Sequence, residues 1–272
     1  MQGRLSKPHN EQIQSFPFTS WQQEFKKASE NELEVIEWIF DEFQPNPIFT
    51  SDGIKEIREL MDENNISVNS ICADYFMIKK LFNESEYNLE KNIEILKKLI
   101  LQAYKLEISM IEIPLVDSSS LKNNKNKIEI THNLKKILKL AEKNNITIVL
   151  ETDLNPFDFK ELLIGFENYN VMANYDSGNS ASLGYNSEIE LTELKKWIKN
   201  VHVKDRKFNG GTVPFGTGDA NFDVFFSSLS KINYSGDLII QGARFENKEV
   251  TPEKTCKIYQ EFIKQNVDKY YN

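Results

Sequence analysis

Four apolar runs in the second half of the chain each end on a residue able to bind a metal ion or move a proton. Ile146-Thr-Ile-Val-Leu runs into Glu151, Val171-Met-Ala-Asn-Tyr into Asp176, Val201 into His202, and Leu238-Ile-Ile into Gln241. Two carboxylates, an imidazole and an amide oxygen form a ligand set for one hard or borderline divalent ion: Mn²⁺, Mg²⁺, Co²⁺ or Zn²⁺. Such an ion can hold a sugar's carbonyl and adjacent hydroxyl, polarise the carbonyl, and stabilise the enediolate left when a base removes the neighbouring C–H proton. Glu151 is the candidate base, because a ligating carboxylate can keep one oxygen free for that proton. Any one of these residues alone is better explained as a strand cap; four at equivalent exits are not.

Helix-like segments separate the runs, and strands alternating with helices argue a parallel sheet. In a closed parallel barrel every strand exit points to one face, where such barrels keep their chemistry. Glu151 and Gln241, far apart in sequence, can then share one site. Eight strand–helix units are readable in the 272 residues, giving a single (β/α)8 TIM barrel over residues 1–272 as one domain. Met1–Leu5 is a very short first strand, followed by a helix around Trp21–Ala28. Val35–Ile39 is the second strand, and its helix carries Ile54, Ile57, Leu60 and Met61 at three- and four-residue spacing. Ser67–Cys72 precedes a helix bearing Leu89, Ile93, Leu96, Ile100 and Ala103; Ile108–Ile113 ends at Pro114 and precedes one bearing Leu134, Ile137, Leu138 and Ala141. The polar run Lys122–Lys127 reads as a solvated lead-in loop. Ser177–Gly184 is too rich in turn residues for regular structure. A long loop, Lys204–Ala220, follows the seventh strand, and loops of that length in compact domains are functional or disordered. Helices close the pattern at Phe222–Ile232 and Pro252–Asn266, the latter capped by Thr251.

Composition narrows the partners. A formal charge of −8 opposes a nucleic-acid partner, since phosphate backbones are held by clustered Lys and Arg. No apolar stretch approaches the roughly 20 residues that span a bilayer, and the amino terminus lacks a secretory apolar core. Cys72 and Cys256 show no paired spacing. The expectation is a cytoplasmic, soluble protein that takes a small molecule, with no membrane partner and room for a homo-oligomer.

Met1-Gln-Gly-Arg-Leu-Ser, Ile36-Glu-Trp-Ile39, Glu151-Thr-Asp153, Asn174-Tyr-Asp-Ser-Gly-Asn179, Val201-His-Val-Lys-Asp-Arg206, Phe215-Gly-Thr-Gly218 and Ile240-Gln-Gly-Ala-Arg244 together resemble the sugar phosphate isomerase/epimerase proteins of the xylose isomerase-like barrel superfamily. The resemblance is spread over nearly the whole chain. It implies a sugar or sugar phosphate as substrate and one divalent metal ion held by Glu151, Asp176, His202 and the eighth-strand residue, here Gln241. In the well-understood epimerases that last position is a glutamate, working from the opposite face of the substrate to the fifth-strand glutamate. Glutamine can offer a carbonyl oxygen but cannot exchange a proton near neutral pH, so the two-carboxylate scheme does not carry over intact. Glu246 can swing in, Glu112 at the end of the fourth strand can serve as second base, or Glu151 can shuttle a proton between adjacent carbons on one face as an aldose–ketose isomerase would.

Weaker signals surround this set. Asn179 stands three residues after Asp176, where relatives often have a histidine near the substrate. Lys204, Arg206 and Arg244 follow the last two strands, where barrels commonly bind phosphate, and Gly216-Thr-Gly218 offers backbone N–H groups. Arg4 can reach the same mouth; Glu37 and Asp74 stand near strand exits, to touch substrate or the residues around it. His9 and His132 read as solvated, and Trp21, Trp38 and Trp197 as packing between helices and barrel. Three readings compete with isomerase or epimerase: a dehydratase of polyols or keto-sugars, which needs the same metal and an enolate; an abasic-DNA endonuclease, whose additional histidines this chain lacks; and a non-catalytic carbohydrate-binding protein that lost the eighth-strand glutamate.

Overall fold

The computed structural model describes residues 1–3, 5–6, 14–121, 123–244 and 250–271. Among them, seven parallel strands lie side by side in the order of the chain: β1 (Val35–Ile39), β2 (Ser67–Cys72), β3 (Met110–Leu115), β4 (Thr147–Thr152), β5 (Val171–Asp176), β6 (Ile198–Val203) and, after a short antiparallel hairpin of β7 (Asp205–Arg206) and β8 (Thr212–Val213), β9 (Leu238–Ile240). The sheet curls into a nearly closed barrel with helices around it.

The stave expected first, Met1–Leu5, is not a regular strand among the described residues. Met1 bonds to β1 on both sides of Ile36, its amine donating to Val35 O and its carbonyl accepting from Glu37 N, each at 3.0 Å. The Gln2 side chain accepts from Gln241 Nε2 at 2.7 Å. Residues 1–3 thus stand between β1 and the end of β9 without building a ladder, because Gly3 turns there with φ +51°.

The helices follow the apolar stripes. α1 (Trp21–Glu30), α2 (Ser51–Asn64), a single turn α3 (Tyr75–Ile78), α4 (Glu86–Lys105), α5 (Asn124–Lys143) and α6 (Pro156–Ile164) alternate with β1 to β5. α4 turns Ile93, Leu96, Leu99, Ile100 and Ala103 inward, and α5 Ile130, Leu134, Ile137, Leu138 and Ala141. Trp21 and Trp38 pack edge to face with centroids 5.5 Å apart, tying α1 to β1. The lead-in to α5 differs from the sequence reading: the Asn123 side chain accepts from Asn126 N, so the polar run from Asn124 is the first turn of the helix.

Ser177–Gly184 also differs. It forms a helix, α7 (Ser177–Leu183), opened by the Asp176 carboxylate accepting from Gly178 N and Asn179 N and closed by Gly184 in the left-handed region, φ +72°. Small residues let this helix sit buried on nearly every side, so its turn-like composition reflects close packing at the barrel mouth. Next come α8 (Ser187–Leu194), α9 (Phe222–Lys231) and α10 (Pro252–Tyr270). α9 turns Phe225, Phe226 and Leu229 inward, and they pack with Val201 and Val203 in a second apolar cluster.

Candidate metal centre

Alternation along each strand decides which side chains enter the barrel. Asn174 and Asp176 on β5, Asn200 and His202 on β6, and Glu151 on β4 all point inward, and Asp176 pairs directly with His202 across the β5–β6 ladder. Glu112 pairs with Val149, two residues below Glu151, so it belongs to a deeper layer with Glu37 and Ser70 of β1 and β2.

His202 is the hub. Its ring is 1% exposed, with Nδ1 3.2 Å from Glu151 Oε2 and 3.9 Å from Asp176 Oδ2, and Nε2 2.9 Å from Glu37 Oε1 and 3.0 Å from Glu112 Oε2. With one hydrogen to share, Nε2 bonds in ideal geometry to neither lower carboxylate. The lower layer is braced by amides and a hydroxyl: Glu37 Oε2 accepts from Ser70 Oγ at 2.7 Å and Asn200 Nδ2 at 2.9 Å. In the upper layer Glu151 accepts from Asn174 Nδ2 at 2.5 Å and Asn179 Nδ2 at 2.7 Å, one on each oxygen.

Burial and charge set the protonation states. Burial opposes a charged imidazole, but Glu112, Glu37 and Glu151 around it hold the His202 pKa well above its ordinary value. Burial raises the Glu112 carboxyl well above the usual carboxylate range despite the pull of His202. For Glu37 burial is outweighed by His202, Ser70 and Asn200, and the result is a lowered value. Burial would likewise raise Glu151, but His202 and Lys204 bring it down to about 2; Asp176 is raised by burial against the pull of Lys204.

One atom each from Glu151, Asp176 and His202 lies within 4.8 Å of the others, and so does one each from Glu37, Glu112 and His202. A neutral imidazole has one N–H and one lone pair. Once the charged ring gives up its Nδ1 proton, Nε2–H stays between the two lower carboxylates and the Nδ1 lone pair faces Glu151 and Asp176, so the Glu151–Asp176–His202 group is the one equipped to hold a cation. Two carboxylate oxygens and an imidazole nitrogen fit a hard or borderline divalent ion. The orienting carboxylate on the far nitrogen is the usual companion of a metal-binding histidine.

The other expected residues stand in different settings. Gln241, 2% exposed, accepts from Lys204 Nζ at 3.3 Å through Oε1, and Lys204 also reaches Asp176 Oδ2 at 3.3 Å. Asn179 bridges: it donates to Glu151 and accepts from Arg206 Nη1 at 2.7 Å. Arg206 otherwise holds Gly210 O, so its guanidinium braces the site from behind. Arg244 donates to Ser6 O at 2.6 Å and Gly3 O at 2.9 Å, fastening the amino-terminal segment. Asp74, half-buried, accepts from Gln14 Nε2 at 2.7 Å, and desolvation pushes it up to about 6. The N–H groups of Gly216 and Gly218 are taken by Asp205 Oδ2 at 2.9 and 2.8 Å, so this buried carboxylate shapes the long loop. Glu112 lies under the imidazole. Arg4 and Glu246 lie outside the described residues, as does His9.

Sequence reasoning passed over Asn174, Asn200 and Ser70. The signal was present: Asn174 and Asn200 stand two residues before Asp176 and His202, and period two makes them inward-facing as well.

Residues 25–264 match the family model described as xylose isomerase-like TIM barrel. The chain belongs to that family. Curated relatives include a putative L-ribulose-5-phosphate 3-epimerase, SgbU, of Haemophilus influenzae, 24% identical over 248 residues that cover 85% of this chain and 86% of that protein. An L-ribulose-5-phosphate 3-epimerase, UlaE, of Escherichia coli is 25% identical over 186 residues, 66% of each chain. Among solved structures, D-psicose 3-epimerase of Clostridium cellulolyticum H10 superposes with a TM-score of 0.75 at 13% identity, covering 91% of this chain and 93% of that one. D-allulose 3-epimerase of Methylomonas sp. gives 0.71 at 15%, covering 93% of both. Sugar epimerases thus recur among the similar proteins. Among the described residues no helix is long and apolar enough to cross a membrane.

Proposed function

We propose that the protein is a divalent-metal-dependent isomerase or epimerase of a sugar or sugar phosphate. The observation that carries this is the buried Glu151–Asp176–His202 group, with His202 Nδ1 set toward two carboxylates at the exits of β4, β5 and β6. The sugar epimerases among its relatives narrow the substrate to a small carbohydrate. Glu151, Asp176 and His202 would hold the ion, with Gln241 Oε1 as the fourth ligand and third oxygen. When bound, the ion supplies Lewis-acid polarisation of the sugar carbonyl.

Glu151 does the proton work. Asn179 and Asn174 hold its two oxygens in fixed directions, and its low pKa keeps it ionised near neutral pH. Its carboxylate takes the proton from the carbon beside the carbonyl, the C–H electron pair becomes the C=C bond of an enediolate, and the carbonyl oxygen takes the displaced pair. Returning that proton to the former carbonyl carbon, while the hydroxyl proton of the first carbon passes to the former carbonyl oxygen, gives the isomer; returning a proton to the first carbon from its other face gives the epimer. Gln241 supplies no proton, Glu112 is screened from the mouth by the imidazole, and Glu246 lies outside the described residues. A one-face transfer by Glu151 is therefore the reading preferred here, with isomerisation faster than 3-epimerisation.

The test is deuterium incorporation from solvent into a panel of ketoses and ketose phosphates with Mn²⁺, following C1–C2 isomerisation and C3 epimerisation separately. Exchange dominated by isomerisation supports the reading, and Gln241→Glu should then tighten Mn²⁺ binding and introduce weak 3-epimerisation. Robust epimerisation by the unaltered protein would overturn the one-base scheme. Tight carbohydrate binding with no exchange would show a binding protein, and loss of water from the sugar a dehydratase.

A further inference from the structure

Lys204 leaves the end of β6 and turns inward. Its side chain is 14% exposed, and Nζ lies 3.3 Å from both Asp176 Oδ2 and Gln241 Oε1. The stem passes over Gly178, where an added Cβ would stand 2.7 Å from Lys204 Cγ and 2.9 Å from its Cβ; a side chain at 178 would push the lysine off this path. Ser177 Oγ pins the main chain, donating to Lys204 O at 2.7 Å and accepting from Lys204 N at 3.0 Å. Two of the oxygens assigned to the metal are thus already in contact with a cation of the chain's own. Arg206 and Arg244, expected beside Lys204 in a phosphate site, are turned to Asn179 and to the amino-terminal carbonyls.

We propose that Lys204 is the resident counter-ion of the metal site, that a divalent ion displaces it, and that the displaced ammonium then serves the substrate, donating to the oxygen that becomes negative as the carbon loses its proton. This rests on the metal-dependent reading above. A divalent ion and an ammonium cannot both hold Asp176 Oδ2 and Gln241 Oε1, because like charges at that spacing repel strongly where water is scarce. The lysine can yield: its charge is a compact point on a flexible stem, so Nζ can move several ångströms while the pinned main chain stays. Residue 241 makes the exchange easier, since a neutral amide oxygen holds an ammonium less firmly than a carboxylate does. A charge fixed beside the developing enediolate acts as an oxyanion stabiliser, a role distinct from binding phosphate.

Lys204→Met in the full chain separates these roles. Mn²⁺ titration should show binding tightened by about tenfold or more, since competitor and repulsion are both gone. Deuterium exchange into the ketose at saturating Mn²⁺ should fall by about a hundredfold or more, the scale of one lost oxyanion-stabilising donor. In the unaltered protein, succinimidyl-ester labelling read by mass spectrometry should find Lys204 more reactive once Mn²⁺ is added. Tighter metal with slower exchange is a pairing that mere structural damage does not produce. Binding of Mn²⁺ that is unchanged or weaker in Lys204→Met overturns the inference alone, as does a loss confined to phosphorylated ketoses, which would make Lys204 a phosphate ligand. No Mn²⁺ uptake by the unaltered protein overturns the inference together with the metal reading. If Lys204→Met does not fold, Lys204→Gln carries the same test, and the labelling needs no variant.

Discussion

The two nitrogens of His202 face carboxylates of the same kind in different settings. Below, Nε2 meets Glu37 and Glu112, both 1% exposed or less and braced by Ser70, Asn174 and Asn200. Above, Nδ1 meets Glu151 and Asp176, with the ammonium of Lys204 and the amide of Gln241 beside them. Among the described residues the lower carboxylates ion-pair with the imidazole alone, so they orient the ring; the upper ones already share a second cation, so they can exchange it. Depth in the barrel, more than residue type, separates the orienting carboxylates from the binding ones.

Removing the hub has the largest expected effect. His202→Ala deletes a ligand and strips both layers of their shared partner, so metal affinity should fall by more than the roughly 10–100-fold of a lost outer-shell residue. It should also cost about 3–5 kcal/mol in the metal-free protein, the range for breaking a buried charge pair from one side. Chemical denaturation and Mn²⁺ titration read the two effects. A fully stable His202→Ala would show that the lower layer does not depend on the ring.

Glu151→Gln acts on the upper layer only. At saturating metal it should lower proton exchange by at least about a hundredfold, the low end for general acid–base catalysis, and undiminished exchange would remove Glu151 from that role. Glu37→Gln acts on the lower layer and should weaken metal by roughly 10–100-fold through the ring's orientation. An unchanged affinity would mean that Glu37 only fills space.

The smallest effect belongs outside both layers, at Glu190. This buried carboxyl behind β5 accepts from Tyr175 and Ser180, and desolvation pushes it up to about 7. An acid whose folded pKa is raised favours folding while protonated. Its contribution is present below the unfolded value near 4.5 and is lost as pH rises to about 7. Glu190→Gln should flatten stability over that window in pH-dependent denaturation. It should leave the separate loss that His202 imposes on the metal-free protein as pH rises above 6.5 through that residue's raised value.

Strand exits were readable because apolar runs and period two survive in the sequence; Glu151, Asp176, His202 and Gln241 all follow from them. Ser177–Leu183 was not, because a helix buried among close neighbours is built from the small residues that elsewhere make turns. The first stave was read as a strand, but a few residues with Gly3 in a left-handed turn can bond to β1 without forming a ladder. Arg206 and Arg244 were expected at the mouth from strand position, while their partners, Asn179 and the carbonyls of Gly3 and Ser6, depend on side-chain direction that spacing does not encode. Glu112 shows the same limit: it was read at the end of its strand, and only the β3–β4 register sets it a layer below Glu151.

The central claim is that the Nδ1 face of His202 holds a divalent ion. Calorimetric titration of the metal-free protein with Mn²⁺ near pH 7, in two buffers of different ionisation enthalpy, counts metal bound and protons released together. The account predicts one ion per chain with release of the proton that His202 carries in the metal-free state, and loss of both signals in Asp176→Asn and His202→Ala. No uptake, or uptake with no proton released and no change in either variant, would contradict it.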